Sequence, residues 1–90
     1  MAIILKAASA GTMESSDAYV QVEPNEAGNE IVLESVVLTQ FGDAIKASVM
    51  EVLAENEVTN AKVSVNDRGA IDCTIRARVE TALKRAQGDL

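Results

Sequence analysis

Ala18-Tyr19-Val20-Gln21-Val22-Glu23, followed at once by Pro24-Asn25-Glu26-Ala27-Gly28-Asn29, is the stretch on which the fold turns. Ala18, Val20 and Val22 alternate with Tyr19, Gln21 and Glu23, and a period of two sends the two sets to opposite faces of an extended chain. This spacing predicts a half-buried strand. The next six residues are rich in turn formers, and they lead into a second apolar stretch from Glu30 to about Val36, so a hairpin is the simple expectation. Upstream, Ile3-Ile4-Leu5-Lys6-Ala7-Ala8-Ser9-Ala10-Gly11-Thr12-Met13 supplies an extra N-terminal strand, turning through Glu14-Ser15-Ser16-Asp17 with its hydroxyls at a hairpin tip.

Downstream the period changes. Phe41, Ile45, Ser48, Val49, Val52 and Leu53 recur at three- and four-residue spacing, which predicts a helix from about Leu38 to Asn56 with one apolar face. Asp43, Lys46, Glu51 and Glu55 then point outward. Alternation returns at Ala61, Val63 and Val65, set against Lys62 and Ser64, and predicts another strand. After Asn66-Asp67-Arg68-Gly69 the residues Ile71, Ile75, Val79, Ala82, Leu83 and Ala86 form a second helical stripe. Asp72 lies in its first turn, where a carboxylate suits the helix dipole, and Gly88 closes it. The expected fold is an α+β domain spanning residues 1–90. A small sheet of three or four strands, in ββαβα order with the possible N-terminal addition, carries both helices on one face. If the strands flanking the first helix are parallel, their crossover is right-handed.

Ninety residues make a single thin core, and a chain of this size hides only about 60 to 65% of its unfolded surface. Cys73 has no partner in the chain, which excludes a disulfide scaffold and favours cytoplasmic residence. The opening Met1-Ala2-Ile3-Ile4-Leu5-Lys6-Ala7-Ala8 is too short for a membrane span and lacks the regions of a signal peptide, so a soluble protein is expected. A formal net charge of −6 argues against nucleic acid as a partner. That charge is uneven: residues 1–60 hold two basic groups against ten carboxylates, whereas residues 61–90 hold six against four. Arg76, Arg78, Lys84 and Arg85 gather on the last helix, either as a solvated face or as a docking surface.

Histidine is absent, and its absence removes the Ser-His-Asp triad, the Cys-His dyad, imidazole acid–base chemistry and histidine metal sites. No Gly-rich phosphate loop, calcium loop or Cys-x-x-Cys pair is present. Catalysis by this chain alone is not expected. Cys73, beside the last apolar stripe, reads as a packed small hydrophobe, and Met13 and Met50 read as gap-fillers. Ser15 and Ser16 have no evident packing duty. Framed by Glu14 and Asp17 and approached through Gly11 and Thr12, they form either a plain turn or an exposed site at which another enzyme modifies a hydroxyl. Turn chemistry alone does not choose between the two serines.

Three blocks carry a family resemblance: Ala10-Gly11-Thr12-Met13-Glu14-Ser15-Ser16-Asp17, residues 40–58 and residues 67–86. In order and spacing they resemble the acyl carrier protein, or gamma subunit, of citrate lyase, over essentially the whole chain. Met13 stands where leucine is usual, a volume-conserving change, and residues 24–38 match least well. The resemblance implies that Ser15 is joined through a phosphodiester to a 2'-(5''-phosphoribosyl)-3'-dephospho-CoA arm and that Ser16 is a spacer. It also implies that the arm's thiol carries acetyl and citryl groups. The chemistry falls to partners: an alpha subunit exchanges acetyl for citrate, a beta subunit cleaves the citryl carrier to oxaloacetate, and a dedicated transferase attaches the arm. Glu14 and Asp17 then either repel the arm's phosphates or serve as contacts for that transferase. The phosphopantetheine carriers, helical bundles with an Asp-Ser-Leu motif, fit poorly to a chain whose first third has strand periodicity. Two alternatives remain, the carrier subunit of malonate decarboxylase and an assembly subunit with no covalent group.

Overall fold

The computed structural model describes residues 3–35 and 38–88, and at residues 38–41 the backbone alone. The element order is β1 (Ala8–Gly11), β2 (Ala18–Pro24), β3 (Glu30–Ser35), α1 (Leu38–Glu55), β4 (Ala61–Asp67) and α2 (Asp72–Ala86). The α+β expectation holds, with the N-terminal strand present as a fourth member of the sheet. Val36, expected to end β3, and the side chain of Phe41, expected on the apolar face of α1, lie outside the described residues.

Strand order departs from the hairpin expected for β2 and β3. The sheet runs β1-β2-β4-β3, so β4 lies between them. It pairs antiparallel with β2, from Ala18↔Asp67 to Pro24↔Ala61, and parallel with β3, from Glu30↔Lys62 to Ser35↔Asp67. The turn-rich segment after Pro24 explains the outcome, because its asparagines bond to the chain entering β4 rather than across a hairpin. The Asn25 N–H donates to the Asn60 carbonyl at 2.9 Å. Asn29 donates from Nδ2 to the Val58 carbonyl at 2.9 Å and accepts from the Ala61 N–H at 3.0 Å. A parallel β3–α1–β4 unit results, of the kind whose crossover is right-handed in nearly all proteins.

Alternation decides which face is covered. Ala18, Val20 and Val22 of β2 and Ala61, Val63 and Val65 of β4 are all at most 2% exposed, and each buried valine contributes roughly 1.5–3 kcal/mol of transfer free energy. Helix α2 packs on β1 and β2, and α1 packs on β3 and α2, so both helices cover this face. Ile45, Ser48, Val49, Val52 and Leu53 face inward from α1 as their spacing predicts, and Asp43, Lys46, Glu51 and Glu55 are exposed. On α2, Ile75, Val79, Ala82, Leu83 and Ala86 are buried, and the chain leaves the helix through Gly88 at φ +87°. Ile71 does not join this stripe. It is the N-cap residue of α2, in extended conformation and 67% exposed, because the helix starts one residue later.

Of the strand expected over residues 3–13, only Ala8–Gly11 forms. Ile4 plugs the core instead, its backbone held by the Asn60 side chain: Ile4 N–H donates to Oδ1 at 3.1 Å and Nδ2 donates to the Ile4 carbonyl at 3.2 Å. No helix among the described residues is long and apolar enough to cross a membrane.

Candidate functional site

The link from β1 to β2 is built around a close approach. Gly11 pairs with Tyr19 and has φ +95°; a Cβ at this position would lie 1.9 Å from the Ala18 carbonyl oxygen and 3.2 Å from Arg78 Cδ. Only glycine satisfies both the left-handed backbone and the missing space. Beyond it, Thr12 donates its hydroxyl to Asp17 Oδ2 at 2.6 Å and accepts the Glu14 N–H at 3.2 Å.

Asp17 is the hub. Arg78 reaches across from α2 and grips both carboxylate oxygens, Nε to Oδ1 and Nη2 to Oδ2, each at 3.0 Å. Such a fork matches the planar guanidinium to the carboxylate. The Ala18 N–H adds a bond to Oδ1 at 2.7 Å. Hydrogen bonds from Arg78, then from the Thr12 hydroxyl and the Ala18 N–H, hold the Asp17 carboxyl far below the usual carboxylate range. Asp17 is thus a tie between hairpin and helix, its charge balanced by Arg78. Of the two acids expected either to repel the arm's phosphates or to contact the transferase, Glu14 is exposed and makes no ion pair among the described residues.

Within this frame Glu14 to Asp17 forms a β-turn closed by the Asp17 N–H donating to the Glu14 carbonyl at 3.2 Å. Ser15 and Ser16 are both exposed at its corners, and Ser16 has φ +65°. A left-handed residue at the third position belongs to the type II turn, where glycine is the preferred occupant. The two hydroxyls, equivalent by composition, are therefore different by backbone: Ser16 bears the strain and Ser15 does not. The turn is also pinned to the end of β4, since Ser16 N–H donates to the Arg68 carbonyl at 2.8 Å and Arg68 N–H to the Asp17 carbonyl at 2.9 Å. The hairpin tip is exposed, as expected, but its backbone is held on both flanks.

Other candidates fall elsewhere. Cys73 is exposed, not packed: it precedes buried Ile75 by two residues, which is about 200° around a helix of 3.6 residues per turn. Met13 and Met50 are 50% and 48% exposed, so neither fills a gap in the core. The basic residues of α2 are mostly engaged within the chain. Besides Arg78, Arg76 bonds Asp72 and Glu51, each at 2.7 Å, and Arg85 donates to the Ser9 carbonyl at 2.8 Å. Sequence reasoning missed Thr12 and Arg78 as supports of the turn, and the surplus of acid before residue 60 and of base after it was the one available sign. No group of three His, Cys, Asp or Glu side chains able to hold a metal occurs among the described residues.

The family described as malonate decarboxylase delta subunit (MdcD), an acyl carrier family, matches residues 5–86. The chain is 53% identical to the citrate lyase acyl carrier protein of Treponema denticola, covering 92% of this chain and 94% of that one. It is 51% identical to that of Vibrio cholerae, over 86% and 80%. The fold is that of a chain in the crystal structure of a Pseudomonas malonate decarboxylase hetero-tetramer with malonate, at a TM-score of 0.73, 18% identity and coverage of 96% and 92%. The chain belongs to the citrate lyase acyl carrier protein family, whose members are non-catalytic carrier subunits.

Proposed function

We propose that Ser15 is the residue through which this acyl carrier receives its prosthetic group, and that the group is the phosphoribosyl dephospho-coenzyme A arm, joined by a phosphodiester. The exposed position of Ser15 at the corner of a backbone-fixed turn is the observation that carries the proposal. The turn fits such a group: Ser15 is exposed at an unstrained corner, and the nearby Asp17 carboxylate is paired with Arg78 rather than set bare against a phosphate. Attachment forms a bond from Ser15 Oγ to the phosphorus of a phosphoanhydride donor. The serine proton passes to a base of the transferase, and the polyphosphate departs.

When bound, the arm supplies a thiol that carries acetyl and citryl groups, the chemistry that cleaves citrate to acetate and oxaloacetate. The chain itself holds the anchor rigid and keeps the arm's reacting end at high effective concentration near the active sites of the alpha and beta subunits. Mass spectrometry of the intact protein from a citrate-fermenting host, followed by peptide mapping, tests this. An adduct of several hundred daltons is expected on the peptide containing Ser15, lost in Ser15→Ala and kept in Ser16→Ala. An unmodified chain from that host, or an adduct on Ser16, would overturn the proposal and favour the armless assembly subunit or a different anchor.

A further inference from the structure

The face of the sheet away from the helices carries a groove beside the anchor. Its shape follows from the register: Tyr19, Asn66 and Glu34 form one cross-strand row, and Gln21, Ser64 and Val32 form the next. The shorter side chains of Ser64 and Asn66 lie on the middle strand, with β2 and β3 as walls, and Met13, just before the turn that carries Ser15, joins the lining. The groove encloses about 400 Å³. Neighbouring strands are about 4.8 Å apart, so the walls stand roughly 10 Å apart. That admits one flat ring between two side chains, whereas a helix of about 10–12 Å diameter does not fit between them.

We propose that this groove is a resting seat for the nucleotide end of the arm, with its adenine held between Tyr19 and Val32. The inference rests on Ser15 as the anchor. Met13 lies two residues from Ser15, a chain distance of at most about 7 Å, and in the proposed arm a phosphate and two riboses place adenine nearest the anchor of all its flat groups. The lining matches a purine. Tyr19 offers an aromatic face for stacking, Met13 and Val32 are apolar and 50% and 42% exposed, and Gln21 and Glu34 offer acceptors for an exocyclic amine. Asn66 Nδ2 donates to Glu34 Oε2 at 3.2 Å and fixes one of those acceptors. A tethered group samples such a seat at about millimolar effective concentration, so an intrinsic dissociation constant of about 1 mM gives half occupancy. The arm then divides its time between the carrier and the partner active sites.

Tyr19 is the one tyrosine of a chain without tryptophan, so tyrosine emission reports on this groove directly. In protein shown by mass to carry the arm on Ser15, that emission is expected to fall by about half relative to the unloaded chain, and to recover in loaded Val32→Glu. The Val32 methyl resonances and the side-chain amides of Gln21 and Asn66 are expected to shift on loading, and to shift in the same direction when the unloaded chain is titrated with millimolar dephospho-coenzyme A. A loaded chain with unchanged Tyr19 emission and unchanged resonances would overturn the seat while leaving Ser15 as the anchor. A chain with no arm on Ser15 overturns the anchor. In that case the titration decides whether the groove takes a nucleotide at all, and no shift at Val32, Gln21 or Asn66 rejects it.

Discussion

At Gly11 the space for a side chain is occupied by the Ala18 carbonyl, 1.9 Å from where a Cβ would stand. Gly11→Ala is expected to destabilise the protein by on the order of 3 kcal/mol, combining left-handed strain with a backbone clash; denaturant unfolding measures it. Asp17 gives a pH signature. Its folded carboxyl titrates below its unfolded value, so its contribution is present above about pH 4, the unfolded range, and is lost as the pH falls below it. Asp17→Asn should lower the melting temperature at neutral pH and flatten its dependence on pH between about 4 and 2. The remaining slope includes Asp72, also held low, by the Ser48 hydroxyl and then by Arg76. The special backbone of Gly11 could not be read from the sequence, because glycine in a turn region is compatible with many conformations. Only the distance to Ala18 makes it obligatory.

Among the elements, the end of β4 has the most depending on it. Asp67 is 1% exposed and accepts from the Gly69 N–H at 3.1 Å and the Ala70 N–H at 2.8 Å on Oδ1, and from the Ser35 hydroxyl at 2.7 Å on Oδ2. It closes the turn into α2, ties β3 to β4, and precedes Arg68, whose backbone holds Ser16 and Asp17. Asp67→Ala is expected to cost about 2–3 kcal/mol by leaving buried donors unpaired. In Asp67→Asn the amide oxygen keeps both N–H partners and its NH₂ faces the serine oxygen, so the loss should stay within about 1 kcal/mol. Chemical denaturation compares the two, and amide exchange at Ser16 should quicken in Asp67→Ala. Strands β2 and β4 and both helices were legible from their periods, since alternation and the three-to-four spacing are local properties. The bounds of β1 were not, its Ala-Ser-Ala-Gly having no such pattern. Which strand lay beside which was not, because the asparagines that steer β2 and β3 to either side of β4 act through partners some thirty residues away.

Across the whole molecule, part of the charge imbalance between the two parts of the chain is met internally. Arg78 meets Asp17, and Arg76 meets Glu51, joining the acidic N-terminal part to the basic C-terminal helix. The sequence showed the imbalance but not its use, and a docking surface and an internal clasp have the same composition. The proposed anchor turn was legible in a similar measure: its exposure followed from a turn between strands, the preference for Ser15 came from resemblance, and the support by Arg78 came only from the folded chain. The interior place of β4 also has a consequence during synthesis. Strands β2 and β3 emerge from the ribosome with no bond to each other, and the neighbour they share is complete only at Asp67. The β1–β2 hairpin is local, but β3 joins the sheet only through β4, and the Glu14–Asp17 turn, pinned to Arg68 and clasped by Arg78, takes its final form only after residue 78 has been made. If the hydroxyl turn is the proposed anchor, an attaching enzyme that reads its shape would meet that shape only once Arg78 of α2 is in place.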